Sequence, residues 1–312
     1  MPVIEVKHIT KDYGHGRGIF DVSFEIEKGE VFGFLGPNGA GKTTTIRHLM
    51  GFIQPDEGES YINGKDTWKS AALIKHDIGY LPGELAFPDN MTGDQFIKFM
   101  AEERQISDRS RTDELKELFE LDTSEEIKEM SLGSKRKLAV VTAFMHNPNV
   151  LILDEPTSGL DPVMQERFIQ FILNEKEKGK TILLSSHIFS EVDATCDRIA
   201  IIKDGVVVSI IEADHLKRNT NKAFKVEFSS FDDYEKFLKN TAFTISIKRP
   251  NQNQVKMNLT DEKMQQLFTE LSEVKVNFIS EIKITLEDYF MDFYDRKKSV
   301  SDGEEHLQYG LH

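Results

Sequence analysis

An uninterrupted apolar run, Val31-Phe32-Gly33-Phe34-Leu35, opens directly onto Gly36-Pro37-Asn38-Gly39-Ala40-Gly41-Lys42-Thr43-Thr44, and this junction restricts the fold more tightly than anything else in the chain. Five successive residues without a polar side chain read as a strand buried on both faces, inside a sheet covered by helices. The spacing G-x-x-x-x-G-K-T then leads into a helical pattern from Thr43 to Met50. In that setting the glycines let backbone N–H groups turn inward and the helix N-terminus adds its positive end, so that phosphate oxygens are held between them. Lys42 offsets the outer phosphates and Thr43 offers a hydroxyl to Mg²⁺.

A second apolar run, Val150-Leu151-Ile152-Leu153, ends in Asp154-Glu155. Two carboxylates then sit at the C-terminal edge of a parallel sheet, where such folds gather their ligands. Asp154 is the expected Mg²⁺ ligand, directly or through water. Glu155 is the expected general base for the water that attacks a γ-phosphate. Strands at Thr181 to Ser185 and Arg198 to Ile202 alternate with helices at Pro162 to Lys178 and Ile188 to Ala194, which predicts a mostly parallel α/β sheet. Earlier strands at Val3 to Thr10, Phe20 to Ile26 and Gly58 to Ile62 predict an antiparallel β subdomain. Helical spacing between Met91 and His146, within about 85–146, predicts a helical insert.

The remaining constraints are compositional. With 312 residues the chain is long enough for two domains. Its single cysteine, Cys196, excludes a disulfide framework or a thiolate metal cluster and is expected to be a small, partly buried residue, whereas Trp68 is expected on a sheet edge. The longest near-apolar run, Leu138 to Met145, is far shorter than the ~18 residues of a membrane span, and the start lacks the pattern of a signal peptide. A cytoplasmic chain with no membrane span of its own is expected. The net charge of −14 argues against a broad nucleic-acid surface. Residues 217–312 hold 15 basic and 16 acidic side chains, so nearly all of that charge precedes them, and a domain boundary is expected between 216 and 217. The pattern after it is β-α-β-β-α-β, the order of a small ferredoxin-like α+β domain. It is followed by an amphipathic helix from Thr285 to Lys297, with Leu286, Tyr289, Phe290 and Phe293 on one stripe.

Four shorter motifs accompany the two main ones: Tyr13 ahead of a glycine-rich hairpin, Met130-Ser131-Leu132-Gly133-Ser134-Lys135, Ser158-Gly159-Leu160-Asp161, and Ser185-Ser186-His187. With the P-loop and the acidic strand end, the series closely resembles the ATP-binding subunit of ABC transporters over about residues 2–216, and within it a bacterial type-2-like exporter group. The resemblance implies ATP and Mg²⁺ as ligands and ATP hydrolysis as the activity. Residues Gly36 to Thr44 would cradle the phosphates, Tyr13 would stack on adenine, and His187 would contact the γ-phosphate beside Glu155. Ser131 and Gly133 would bind the γ-phosphate held by a second subunit, and Asp161 would run along the seam of that nucleotide-sandwich dimer. The second subunit would be another copy of this chain or a related ATPase subunit. The segment from Gly83 to Arg104 would meet a membrane-spanning permease subunit, which would keep the chain peripheral on the cytoplasmic face of the membrane.

The sequence departs from the family pattern twice. Where the family has Leu-Ser-Gly-Gly-Gln, residues 130–134 lack the first glycine and the glutamine. Where it has glutamine at the entry to the helical insert, this chain has Gly79-Tyr80-Leu81-Pro82-Gly83-Glu84, which leaves Glu84 as a candidate replacement ligand for Mg²⁺. The alternative reading, a soluble ABC-type ATPase acting on nucleic acid, the ribosome or a protein assembly, is disfavoured by the single cassette and single cysteine.

Overall fold

Strands β3 (Val31–Leu35), β7 (Val150–Asp154) and β8 (Thr181–Ser186) are buried at every residue, as strands covered on both faces must be. The computed structural model describes residues 2–213, 221–282, 286, 287, 290 and 291, and the chain divides into two compact units, 1–213 and 214–312. The expected boundary at 216/217 lies outside the described residues.

In the first unit the three buried strands belong to a six-stranded sheet of order β10-β9-β3-β8-β7-β6. Strands β6 (Gly79–Leu81) and β9 (Arg198–Lys203) run parallel to their neighbours β7 and β3. Strand β10 (Val206–Glu212) closes the edge antiparallel to β9, across an Asp204-Gly205 turn with φ of 50° and 79°. A second, antiparallel sheet has the order β2-β1-β4-β5, built from β1 (Ile4–Asp12), β2 (Gly18–Ile26), β4 (Glu57–Ile62) and β5 (Lys65–Asp66). Phe24 of β2 stacks on Phe32 of β3 with ring centroids 5.2 Å apart, so the two sheets share one core. Between them, α1 (Lys42–Leu49) follows β3, and α2 (Ala71–Asp77) precedes β6.

The helical insert contains α3 (Gly93–Glu103), α4 (Ser110–Leu118) and α5 (Leu132–Phe144). Thr92 and Gln95 form a reciprocal capping box at the start of α3, which satisfies two backbone groups the helix leaves unpaired. Phe119 and Phe144 meet Phe171 of α6 (Pro162–Glu177) edge-on at 5.3 and 4.8 Å, which seats the insert on the core through aromatic contacts. Helix α7 (Phe189–Thr195) lies between β8 and β9 in sequence. Cys196 is buried rather than partly exposed, and Trp68 is largely exposed.

The second unit runs β11 (Asn221–Phe228), α8 (Phe231–Asn240), β12 (Ile245–Arg249), β13 (Gln254–Thr260), α9 (Met264–Leu271) and β14 (Val276–Ile282). Its sheet has the order β12-β13-β11-β14 with every neighbouring pair antiparallel, the arrangement of a ferredoxin-like split βαβ. Val226, Phe228, Tyr234, Met257 and Leu267 centre a core of its own. Of the expected helix from Thr285 to Lys297, Leu286 and Phe290 are buried, whereas Tyr289 and Phe293 lie outside the described residues.

Each unit has its own core, so a fragment of residues 1–218 is expected to fold and to bind nucleotide with the affinity of the full chain. Circular dichroism and nucleotide titration check this, and an insoluble fragment would mean that the two cores are one cooperative unit.

Candidate nucleotide site

The turn from β3 into α1 is tight at its end. Gly41 has φ 113°, and a Cβ there would come within 2.7 Å of Ile19 Cγ2 and 3.1 Å of Ile202 Cδ1, so both conformation and space demand glycine. The loop is thereby pressed against the sheet, and Lys42 is buried with its ammonium turned back into the loop. Its Nζ donates to the carbonyls of Gly36 at 2.6 Å and Pro37 at 3.2 Å, and it lies 3.0 Å from Glu155 Oε1.

Asp154 is fully buried at the end of β7. Thr43 donates its hydroxyl to Oδ2 at 2.9 Å, and Ser185 donates to Oδ1 at 2.5 Å. A carboxylate taken out of water is tolerated only with such partners. Glu155 follows in a left-handed conformation, φ 49°, with its N–H bound to the Ser185 carbonyl at 3.0 Å. That turn aims its side chain away from the sheet, between Lys42 and His187, whose Nδ1 is 2.5 Å from Glu155 Oε2. A left-handed non-glycine residue at such a position is the kind of local strain that active sites hold.

A cavity of about 540 Å³ opens over this cluster, lined by Tyr13, Asn38, Gly39, Lys42, Thr43, Thr44 and Glu155 among others. Tyr13 stands exposed at its rim, on a hairpin closed by its own N–H to the Arg17 carbonyl at 2.8 Å. Ala40 is buried in the loop, its carbonyl accepting from Gly205 N–H at 3.0 Å. Sequence reasoning missed Arg17 and Asp204, which line the same cavity; the glycines at 14, 16 and 18 around Arg17 were the available signal.

The other expected residues lie elsewhere on the unit. Ser131 caps α5, accepting from Ser134 N–H at 3.1 Å, and Gly133 follows in its first turn. Asp161 caps α6, accepting from Val163 and Met164 N–H, both at 3.0 Å. Glu84 is not brought to Thr43 and Asp154: its side chain is 95% exposed and faces Arg47 at 4.0 Å. Gly83 is the residue of that segment that abuts Asp154.

Residues 19–158 match the ABC transporter family. The chain is 36% identical over 230 residues to the bacitracin transport ATP-binding protein BcrA of Bacillus licheniformis, covering 73% of this chain and 75% of that one. It is 34% identical over 307 residues to the ABC transporter ATP-binding protein YhcH of Bacillus subtilis (strain 168), covering 95% and 97%. A dimeric post-hydrolysis structure of the ATP-binding cassette MJ0796, bound to ADP and Pi, matches with a TM-score of 0.59 and 25% identity, over 67% of this chain and 98% of that one. The chain belongs to the ABC transporter ATP-binding proteins and is an ATPase. No helix among the described residues is long and apolar enough to cross a membrane.

One buried acid behind the site is set apart by its surroundings. Glu191 of α7 accepts from the Ser186 hydroxyl at 2.5 Å, and burial pushes its carboxyl up to about 7, against the opposing Ser186 hydrogen bond. The unfolded chain releases this proton near the usual carboxylate value, so the folded state binds more protons across that interval and loses stability as pH rises through it to about 7. Glu191→Gln is therefore expected to gain stability relative to the parent between pH 5 and pH 8. Thermal unfolding midpoints at the two values check it, and a parallel shift at both would dismiss the acid as the cause.

Proposed function

We propose that this chain binds and hydrolyses ATP as one half of a nucleotide-sandwich dimer and so powers a separate membrane-spanning permease subunit, with export as the direction of transport. The observation that carries the reading is the convergence of Lys42, Thr43, Asp154, Glu155 and His187 at one edge of the parallel sheet. Export is supported by the resemblance to the type-2-like group, together with a relative named for bacitracin transport.

The residues fit a hard cation beside phosphate. Thr43 Oγ1 and Asp154 Oδ2 lie 2.9 Å apart, and an alcohol and a carboxylate are oxygen ligands of the kind Mg²⁺ takes alongside phosphate oxygens. When bound, Mg²⁺ neutralises charge developing on the transferred phosphoryl group. The backbone N–H groups of Gly39 and of Gly41 to Thr44, with the N-terminus of α1, receive the phosphates, while the Ala40 N–H is held by the Pro37 carbonyl at 3.2 Å. Lys42, with two of its protons held by carbonyls, directs the third to whichever anion is nearest. A γ-phosphate competes for it with Glu155, and the release of Glu155 leaves a carboxylate able to accept a proton from the attacking water. His187 orients that carboxylate through Nδ1. Tyr13 offers its exposed ring to the base. The exposed Ser131 and the half-buried Gly133, at the N-terminus of α5, and the exposed Asp161, at that of α6, present backbone and side-chain groups to a second subunit. The Gly83 to Arg104 segment is the proposed permease contact, which would place the chain peripherally at the membrane.

Lys42→Ala is expected to weaken ATP binding by about tenfold or more, the worth of a hydrogen bond to a charged group, as read by nucleotide titration. Glu155→Gln should bind ATP at least as tightly as the parent, since the anion that competes for Lys42 is gone, and lose about 10²-fold or more in kcat, while accumulating an ATP-bound dimer visible by light scattering. Unimpaired turnover in this variant would remove Glu155 as the base. The permease is checked by the identity of the membrane protein that co-purifies in mild detergent.

A further inference from the structure

Arg136 lies on α5, five residues beyond Ser131, and is only 3% exposed. Its guanidinium is committed to three main-chain carbonyls from two separate loops. Nη1 donates to Pro82 at 2.8 Å, Nη2 to Gly83 at 2.8 Å, and Nε to Ser158 at 3.0 Å. Burial draws this group below the ordinary arginine range, opposed by the charges of Asp154 and Glu155. A buried cation whose hydrogen bonds all go to neutral carbonyls is a costly way to fasten a loop, which suggests that the position of the loops matters more than the stability gained.

One loop abuts the Asp154 carboxylate, and the other closes the turn that carries Glu155. A Cβ on Gly83 would lie 3.0 Å from Asp154 Oδ2 and 3.2 Å from its Cγ, and Oδ2 is the oxygen that accepts from Thr43. Gly83 therefore packs its backbone against the carboxylate face that looks toward Thr43. Ser158 ends the turn that begins at Glu155, its N–H donating to the Glu155 carbonyl at 3.1 Å. One planar fork thus braces the wall beside Asp154 and the turn that carries Glu155, and only arginine has donors spread widely and rigidly enough for that.

We propose that Arg136 is a positioning residue for ATP hydrolysis, holding the Gly83 and Ser158 loops so that Asp154 stays beside Thr43 and Glu155 keeps its aim. The inference rests on the roles given above to Asp154 and Glu155. In this chain a clamped glycine backbone stands where the family carries a glutamine side chain. Because Arg136 is on α5, any tilt of that helix reaches the Gly83 backbone beside Asp154 and the turn that carries Glu155 through the same fork.

The test uses the full-length chain and two variants that reach the same loop from opposite sides. Arg136→Lys keeps the charge but cannot span three carbonyls; Gly83→Ala keeps the fork but puts a methyl against Asp154. In both, the Mg²⁺ concentration needed to enhance binding of a fluorescent ATP analogue should rise by about tenfold, as for outer-shell substitutions around metals. The analogue's affinity in EDTA should remain that of the parent. In both, kcat should fall by about tenfold or more with KM for ATP unchanged. Circular dichroism and thermal unfolding establish that each variant is folded. Parental Mg²⁺ dependence and kcat in Arg136→Lys, while Glu155→Gln stalls, would overturn this inference alone. So would an equal loss of affinity with and without Mg²⁺ together with a lowered unfolding midpoint, which is what a packing role would give. Parental turnover in Glu155→Gln would overturn the site reading and this inference with it.

Discussion

The fully buried carboxylate of Asp154, held between the hydroxyls of Thr43 and Ser185, is the interaction on which the site depends. A charge in that position is admissible only if both oxygens are satisfied, and the two partners come from different elements, Thr43 from the first turn of α1 and Ser185 from the end of β8. Thr43 is available because the glycine loop reverses the chain after β3; Ser185 is available because β8 pairs with β7 in the register that sets it opposite Asp154. The carboxylate therefore ties three neighbouring strand ends into one surface. The glycine loop, the Glu155 turn and the His187 segment all leave the sheet from it.

The next layer is a competition for one cation. Lys42 has two carbonyls and one carboxylate around its ammonium, which leaves the Glu155 contact as the exchangeable one. The same carboxylate is shared with His187. Lys42 and His187 are thus linked through the two oxygens of a single side chain, which leaves a left-handed backbone at Glu155.

What could be read from the sequence was whatever depends on local pattern. Strands β3, β7 and β8 are apolar because both their faces are covered, so they were legible along with the motifs at their ends. The β-α-β-β-α-β order of the second unit was legible from the helical spacing of α8 and α9 between short strand-like runs, although its edge strands β12 and β14 do not alternate. Strand β6 was not, because Gly79-Tyr80-Leu81 is too short to show a period and exists through its pairing with β7. Strand β10 could have been found from Asp204-Gly205, a residue pair suited to a tight hairpin. Glu84 was chosen for the chemistry of its side chain, yet the path of the chain presents Gly83 to Asp154 and turns Glu84 outward. Arg136 carried no signal at all, since its partners are main-chain carbonyls more than 20 and more than 50 residues away in sequence.

Ser131 and Asp161 are already engaged within their own chain as the N-terminal caps of α5 and α6. Replacing a helix cap with alanine costs roughly 1 kcal/mol of stability whatever else the residue does. Substitution at these two positions is therefore least costly within the short list of residues able to cap, whatever a second subunit demands. Loss of function in an alanine scan would mix a thinner fold with an altered surface, and an exchange such as serine for threonine or aspartate for asparagine would separate them.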